Sequence, residues 1–193
     1  MLDQARWYAV ASSHDLPYRH VSQTRLGGRA LAIWRDRAGA VNVWDDRCPH
    51  RGVRFSIGNV LGDELRCQYH AWRFASGSGA CRLIPSQPMA RPDAAVRATV
   101  WAVREQAGLV WTGLTPEGDP RLSAPGAPIR AMPINRSAAA VEAALPDLAG
   151  ASLLVQPVEA ERCVVRGVAA EAELEATDLA LERLRRTLEA APC

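Results

Sequence analysis

The sequence Cys48-Pro49-His50 is followed, after sixteen intervening residues, by Cys67-Gln68-Tyr69-His70. Each segment supplies one thiolate and one imidazole, and both groups bind transition metals. The two segments together can therefore form four bonds to metal. This pattern makes Cys48, His50, Cys67 and His70 the candidate metal ligands of the chain.

The ligand set is compatible with more than one kind of site. A Rieske [2Fe–2S] centre takes two cysteines on one iron and two histidines on the other, so each segment would give one ligand to each iron. Zinc fingers also use Cys₂His₂, but they usually group Cys with Cys and His with His at other spacings. Unliganded core cysteines and surface histidines would require four ligands to fall in register by chance. The spacing favours the Rieske centre.

The residues around the candidate ligands extend the pattern to a family. Over residues 1–114 the chain resembles the N-terminal Rieske domain of phthalate- and vanillate-type ring-hydroxylating or demethylating oxygenases, although Ala71 replaces the glycine usual after the second histidine. The resemblance implies one Rieske [2Fe–2S] cluster per chain, an antiparallel β sandwich with an inserted cluster-binding subdomain, and an electron chain that starts at NAD(P)H. The segments that carry it are Arg6–Ala11, Trp44–Gly52, Cys67–Phe74 and Gly79–Pro85.

Departures from the respiratory branch of this family predict a low reduction potential. Respiratory-chain Rieske proteins brace their loops with an extra disulfide, and Val53 and Tyr69 occupy those two positions here. The same proteins place hydroxyl donors to sulfur where this chain has Trp72 and Phe74. Because such donors stabilise the reduced cluster, we expect a potential near the low end of the Rieske range of about −150 to +300 mV.

Arginines are frequent near the candidate ligands and have two interpretations. They form a docking surface for an acidic redox partner, which speeds association, or they are solvated side chains of the loops. These residues are Arg47, Arg51, Arg54, Arg66 and Arg73.

Composition argues against several other classes of protein. The net charge is +2 and there is no basic run, so we expect no nucleic-acid partner. No segment approaches the ~20 continuous apolar residues of a membrane span, and residues 1–6 do not resemble a signal peptide, so we expect no membrane partner. The cysteines left after the two candidate ligands are Cys81, Cys163 and Cys193, an odd number that suggests reduced thiols in a cytoplasmic protein.

Short apolar runs between Gly-rich turns predict a mainly β fold. We divide the chain into a Rieske domain at 1–114, a Pro- and Gly-rich linker at 115–135, and a small α+β appendage at 136–193 that docks a partner or is a truncated catalytic-domain remnant. The appendage is predicted to contain a helix at Ser137–Leu145, a hairpin at Ser152–Ala169 and a helix from Thr177 to about Ala190. Strands of the first domain are predicted at Arg6–Ser12, Arg29–Arg35, Val41–Asp45, Glu64–Cys67, Ala71–Ala75, Ala80–Ile84, Ala95–Arg104 and Leu109–Thr112.

The histidines indicate what chemistry to expect from the chain alone. An oxygenase of this family also needs a mononuclear iron, held by two histidines and one carboxylate. Apart from the two candidate ligands, the histidines are His14 and His20, in a polar stretch that predicts surface residues, and none follows position 70. We therefore expect no catalytic residue and no oxygen-activating site in this chain, and whether it is an enzyme stays open.

Three functional hypotheses follow. In the first, the chain is a Rieske-only subunit of a multicomponent oxygenase. It takes electrons from an NAD(P)H-dependent reductase or ferredoxin and passes them to a separate mononuclear-iron subunit, in a trimeric or hetero-oligomeric assembly. In the second, it is a freestanding Rieske ferredoxin, although it is longer than such ferredoxins usually are. In the third, it is a non-catalytic redox sensor or a degenerate oxygenase remnant.

Overall fold

Antiparallel β-strands dominate the structure, and two α-helices follow in its C-terminal part. The computed structural model describes residues 2–190. These residues form two units, the loop unit (14–24 and 30–103) and the terminal unit (2–13, 25–29 and 104–190). The strands and helices are β1 (Tyr8–Ser12), β2 (Val21–Leu26), β3 (Arg29–Arg35), β4 (Val41–Asp45), β5 (Asn59–Leu61), β6 (Glu64–Arg66), β7 (Arg73–Ala75), β8 (Cys81–Leu83), β9 (Ala102–Gln106), β10 (Leu109–Gly113), β11 (Ala127–Pro128), β12 (Met132–Ile134), α1 (Ala138–Ala144), β13 (Ala151–Glu159), β14 (Arg162–Ala169) and α2 (Leu174–Ala190).

Two small sheets position the candidate ligands. One sheet has the order β2-β3-β4, and the other is the meander β5-β6-β7-β8. The first ligand segment follows β4, and the second lies between β6 and β7, which pair antiparallel with Leu65 opposite Phe74. Each ligand segment is thus a loop that starts within three residues of the end of a paired strand, and this attachment limits where its side chains can lie.

An aromatic core lies within the loop unit. The Trp34 and Trp44 rings meet edge to face with centroids 5.1 Å apart, and Phe55 continues the row at 5.5 Å from Trp44 and 5.2 Å from Phe74. All four rings are fully buried, and the two candidate cysteines belong to the same buried cluster. Edge-to-face rings contribute about 0.5–1.5 kcal/mol per pair beyond their buried area. The ligand loops are therefore anchored in the buried core of this unit.

The terminal unit combines strands from both ends of the chain. Strand β1 pairs with β10, and the long hairpin β13–β14 adds β11 and β12 along β14. The apolar face of α2 packs on this second sheet, with Leu181 fully buried and Leu184 and Leu188 partly buried. Leucines at this spacing lie on one side of a helix, so packing on the sheet stabilises α2.

The mainly β class with a small α+β C-terminal part is confirmed. The predicted strand Ala95–Arg104 is displaced, because residues 97 and 100 form only isolated bridges to different partners and the strand β9 begins at Ala102. Strands β2 and β5 were not predicted, and residues 115–135, the predicted linker, contain the short strands β11 and β12. The domain boundaries at 114 and 135 remain a prediction.

Candidate metal centre

The two ligand loops are closed by the same pair of backbone hydrogen bonds. In each loop the cysteine N–H donates to the carbonyl five residues later, and the N–H four residues later donates back to the cysteine carbonyl. These distances are 2.8 and 2.8 Å at Cys48, and 2.9 and 3.1 Å at Cys67. The loops therefore hold their cysteines in closely similar backbone settings, although they differ in sequence.

The residue four positions after each cysteine has a left-handed backbone. Gly52 has φ of 73° in the first loop, and Ala71 has φ of 57° in the second. Glycine adopts this conformation at little cost, whereas a residue with a Cβ pays roughly 1–2 kcal/mol. The alanine that replaces the usual glycine thus stands at a strained position.

All four candidate ligands lie together, as two pairs of different character. The two thiols are buried side by side, with Cys48 2% exposed and Cys67 3% exposed. The two imidazoles are nearer the solvent, with His50 half-buried and His70 exposed, and their ring centroids are 4.7 Å apart. The arrangement places sulfur donors in the core and nitrogen donors at the surface.

The local electrostatics differ between the two kinds of donor. Burial raises the pKa of the Cys48 thiol to about 12, against the lowering effect of the His50 N–H, and the neighbouring Cys67 raises it further. Partial desolvation lowers the pKa of His50, and the positive charges of His70 and Arg51 lower it further. A neutral imidazole is the form that binds metal. A thiolate without a counter-charge is costly to bury, so a bound cation would compensate the charge of these cysteines.

This donor set fits a two-iron cluster. A tetrahedral zinc ion takes all four ligands around one ion. Each iron of a Rieske centre needs only two protein ligands. The inner pair of thiols and the outer pair of imidazoles therefore favour the cluster over zinc.

Each candidate histidine is in contact with an aromatic ring. Trp72 stacks on His50, with ring centroids 4.1 Å apart and an interplanar angle of 8°. Tyr69 lies against His70 at a centroid distance of 3.8 Å. Trp72 thus covers the histidine of the other loop, a contact that sequence proximity to His70 does not suggest. This stack shields one face of His50 from water.

An arginine-lined recess of about 240 Å³ opens beside His50. Arg47, Arg51 and Arg97 line it together with Asp45, so the arginines outnumber the carboxylate and one of them, Arg97, comes from outside the two loops. Two of the other arginines noted in the sequence have local partners: Arg66 donates to Asn59 at 2.9 Å, and Arg73 lies 3.8 Å from Glu64. The positive recess is therefore smaller than the sequence indicates, and it lies next to the first loop. 

Asp46 is a buried carboxylate beside the first loop that the sequence did not identify as part of the site. Asp46 accepts hydrogen bonds from Gln23 and Ser56. Its position two residues before Cys48 is a signal that could have identified it, whereas Gln23 comes from β2 and gives no local signal.

The two early histidines, His14 and His20, are exposed, as predicted, and His14 lies 3.2 Å from Asp15.

Comparison with known proteins agrees with this geometry. The family model of the Rieske [2Fe–2S] domain matches residues 6–99. Residues 6–99 are a Rieske domain. Its cofactor is a Rieske-type [2Fe–2S] cluster, which confirms the predicted cofactor. Cys48, His50, Cys67 and His70 all lie inside the matched range, and their assignment as its ligands remains a proposal.

Two curated relatives show how far the sequence likeness extends. The Rieske domain region is similar to oxidoreductase NdmD of Pseudomonas putida, with 48% identity over 120 residues, 62% of this chain and 20% of NdmD. It is also similar to 4beta-methylsterol monooxygenase of Methylococcus capsulatus, with 39% identity over 131 residues, 66% of this chain and 34% of the relative. The chain thus spans between a fifth and a third of the length of these relatives. One relative is named an oxidoreductase and the other a monooxygenase, and those names describe the longer proteins.

The likeness of fold extends further along the chain than the likeness of sequence. The structure of NdmA from Pseudomonas putida CBB5 has a TM-score of 0.73 at 15% identity, and the match covers 97% of this chain and 82% of NdmA. Apo dicamba monooxygenase has a TM-score of 0.73 at 18% identity, covering 97% of this chain and 86% of that one. At such low identity these matches show the fold alone. Across residues 2–190, no helix has both the length and the apolar character of a membrane span.

Proposed function

We propose that this chain carries single electrons within a multicomponent oxygenase. It would receive them from an NAD(P)H-dependent reductase or ferredoxin and deliver them to a separate mononuclear-iron oxygenase subunit. The observation that carries the proposal is the arrangement of donors, with two thiols in the core and two imidazoles 4.7 Å apart near the surface. When bound, a cluster at this site supplies one-electron redox chemistry at low potential.

The residues of the loop unit have different roles in the proposed electron transfer. Cys48 and Cys67 would hold one iron beside the aromatic core, which excludes water from the sulfur side. His50 and His70 would hold the other iron, and the exposed His70 is where a partner protein can approach. Trp72 orients His50 by stacking on it. The arginines of the recess attract an acidic partner, since complementary charge raises association rates.

The proposal includes the organisation of the whole protein. We propose a Rieske domain at residues 1–114, a linker at 115–135 and an appendage at 136–193, acting in the cytoplasm within a trimeric or hetero-oligomeric assembly. The match of fold to dicamba monooxygenase covers 97% of the chain, so it includes the appendage, and this supports the appendage as a structural counterpart of part of such a protein. Co-purification with a catalytic subunit tests the assembly, and isolation as a monomer that no partner stimulates would count against it.

Iron and acid-labile sulfide analysis, together with an EPR spectrum of the reduced protein, tests the site. We expect two irons and two sulfides per chain with a Rieske-type signal, and loss of the signal in Cys48→Ser and Cys67→Ser. Cys81→Ser is the matched control, because Cys81 is also buried in the aromatic core cluster and is not a candidate ligand. A signal that disappears in the control, or that survives in both ligand variants, would reject the assignment.

A further inference from the structure

Asp46 is a buried carboxylate at the start of the first ligand loop. It is 5% exposed and accepts three hydrogen bonds. One oxygen accepts the Ser56 backbone N–H at 2.7 Å, and the other accepts the Ser56 hydroxyl at 2.7 Å and the Gln23 side-chain amide at 2.6 Å. Hydrogen bonds to a charged group are stronger than those between neutral groups, and they offset the cost of burying the charge.

These bonds join the two ends of the segment that carries half of the candidate ligands. The segment 47–55 runs between Asp46 and Ser56, and both Cys48 and His50 lie within it. The backbone N–H of Asp46 is itself fixed to the Ala30 carbonyl at 2.9 Å. The loop is thus closed at its base by one side chain, in addition to its internal hydrogen bonds at Cys48. Gln23 ties the same carboxylate to strand β2.

We infer that Asp46 is a positioning residue for the cluster: its carboxylate fixes the base of the first ligand loop and thereby the separation of Cys48 and His50 from the second loop. This inference rests on the proposed function, because it assumes that these two residues are ligands. Replacing a residue that orients a metal ligand through hydrogen bonds typically lowers metal affinity or activity about 10–100-fold. The same size of effect is expected here on cluster retention.

The chain offers a matched control for a buried aspartate. Asp36 is 7% exposed and accepts the Ser76 hydroxyl at 2.6 Å and the Ala40 backbone N–H at 2.9 Å. Its partners are of the same kinds, but they lie in the turns after β3 and β7 and hold no candidate ligand. Replacing Asp36 by Asn therefore reports the general cost of disturbing a buried carboxylate in this unit.

The experiment uses the full chain loaded with its cluster, in wild-type, Asp46→Asn, Asp36→Asn, Ser56→Ala and Ser56→Thr forms. Iron release to an excess of a chromophoric chelator gives a rate of cluster loss, and the EPR spectrum of the reduced protein gives its line width. We expect about 10-fold faster loss or more and a broadened signal in Asp46→Asn, and a smaller effect in Ser56→Ala. Ser56→Thr keeps the hydroxyl, so it should restore wild-type behaviour, and Asp36→Asn should match wild type in both measurements.

The outcomes separate this inference from the proposed function. If wild-type protein holds no cluster, the proposed function itself fails. If wild type holds a cluster, and Asp46→Asn loses iron no faster than Asp36→Asn, then Asp46 has only a general structural role and the inference is wrong. If Asp46→Asn does not fold, the Ser56 pair decides: equal rates of loss and equal line widths for the Ala and Thr variants would overturn the inference.

Discussion

Ala71 combines a Cβ with a left-handed backbone at the base of the second ligand loop, where the first loop has Gly52. We expect Ala71→Gly to raise the free energy of unfolding by about 0.5–1 kcal/mol, because relief of the strained φ exceeds the added entropy of the unfolded chain. Gly52→Ala should lower it by about 1 kcal/mol for the opposite reason. Urea denaturation of the loaded protein measures both changes.

Ala38 supplies the control for this pair. It is exposed in the turn after β3 and does not have a positive φ. Ala38→Gly gains no relief of strain, so it should be neutral or slightly destabilising. Equal stabilisation by Ala38→Gly and Ala71→Gly would contradict the assignment of strain to position 71.

Trp72 covers one face of His50, so its removal admits water beside a candidate ligand. Water stabilises the additional negative charge of a reduced cluster, and solvent exposure is one of the factors that set the potential. We expect Trp72→Ala to raise the reduction potential and Trp72→Phe, which keeps the stacked ring, to leave it close to wild type. Protein-film voltammetry measures the shift. A fall in potential in Trp72→Ala would show that the ring does not act by excluding water.

A cluster of charges in helix α2 gives a prediction for pH. Arg185 and Arg186 donate to Glu182, and these bonds hold the pKa of that carboxyl at about 2. Because the folded pKa lies below the ordinary glutamate value of about 4.3, the stabilisation is complete above that value and is lost as the pH falls toward 2. The thermal midpoint of wild type should therefore exceed that of Glu182→Gln at pH 7, and the difference should vanish near pH 2. A difference that persists unchanged near pH 2 would contradict the role of these hydrogen bonds.

Elements were predictable from sequence where the local pattern was strong. Strands β3 and β4 have the predicted bounds, and the β13–β14 hairpin and α2 lie within a few residues of theirs, because apolar runs and leucine spacing mark them. Strand β2 has four polar residues in a row between Val21 and Leu26, and β5 has only three residues, so neither carries a recognisable strand pattern. Each acquires strand geometry by pairing with the next strand along the chain, β2 with β3 and β5 with β6.

The candidate site shows the same contrast between features that a local sequence pattern marks and features that only the tertiary structure brings together. The four candidate ligands carry their own spacing, so the sequence identified them together, and the structure brings them to one place. Arg97 and Gln23 enter the site from other strands or loops, and no local signal marks them. The stack of Trp72 on His50 joins two loops, so it also required the tertiary structure.

At the scale of the molecule, the arginine recess predicts a salt-sensitive encounter with an acidic reductase. Arg51 and Arg97 both line the recess beside His50. We expect the Arg51→Glu/Arg97→Glu double variant to be reduced about 10-fold more slowly at low ionic strength, with the difference shrinking as salt rises. Stopped-flow reduction by such a reductase measures the rate. Arg91→Glu, an exposed site elsewhere in the loop unit, is the control.

The terminal unit is built from segments that lie far apart in the sequence, so it cannot be complete until late in protein synthesis. Chains emerge from the ribosome N-terminus first, and compact units generally fold as they become complete. The last residue of the loop unit is 103, whereas the terminal unit needs residues from 104 onward to pair with β1. Both ligand loops therefore exist before the partners of β1 have been synthesised. We therefore expect that iron and sulfide can be delivered to the nascent chain before β1 pairs with β10.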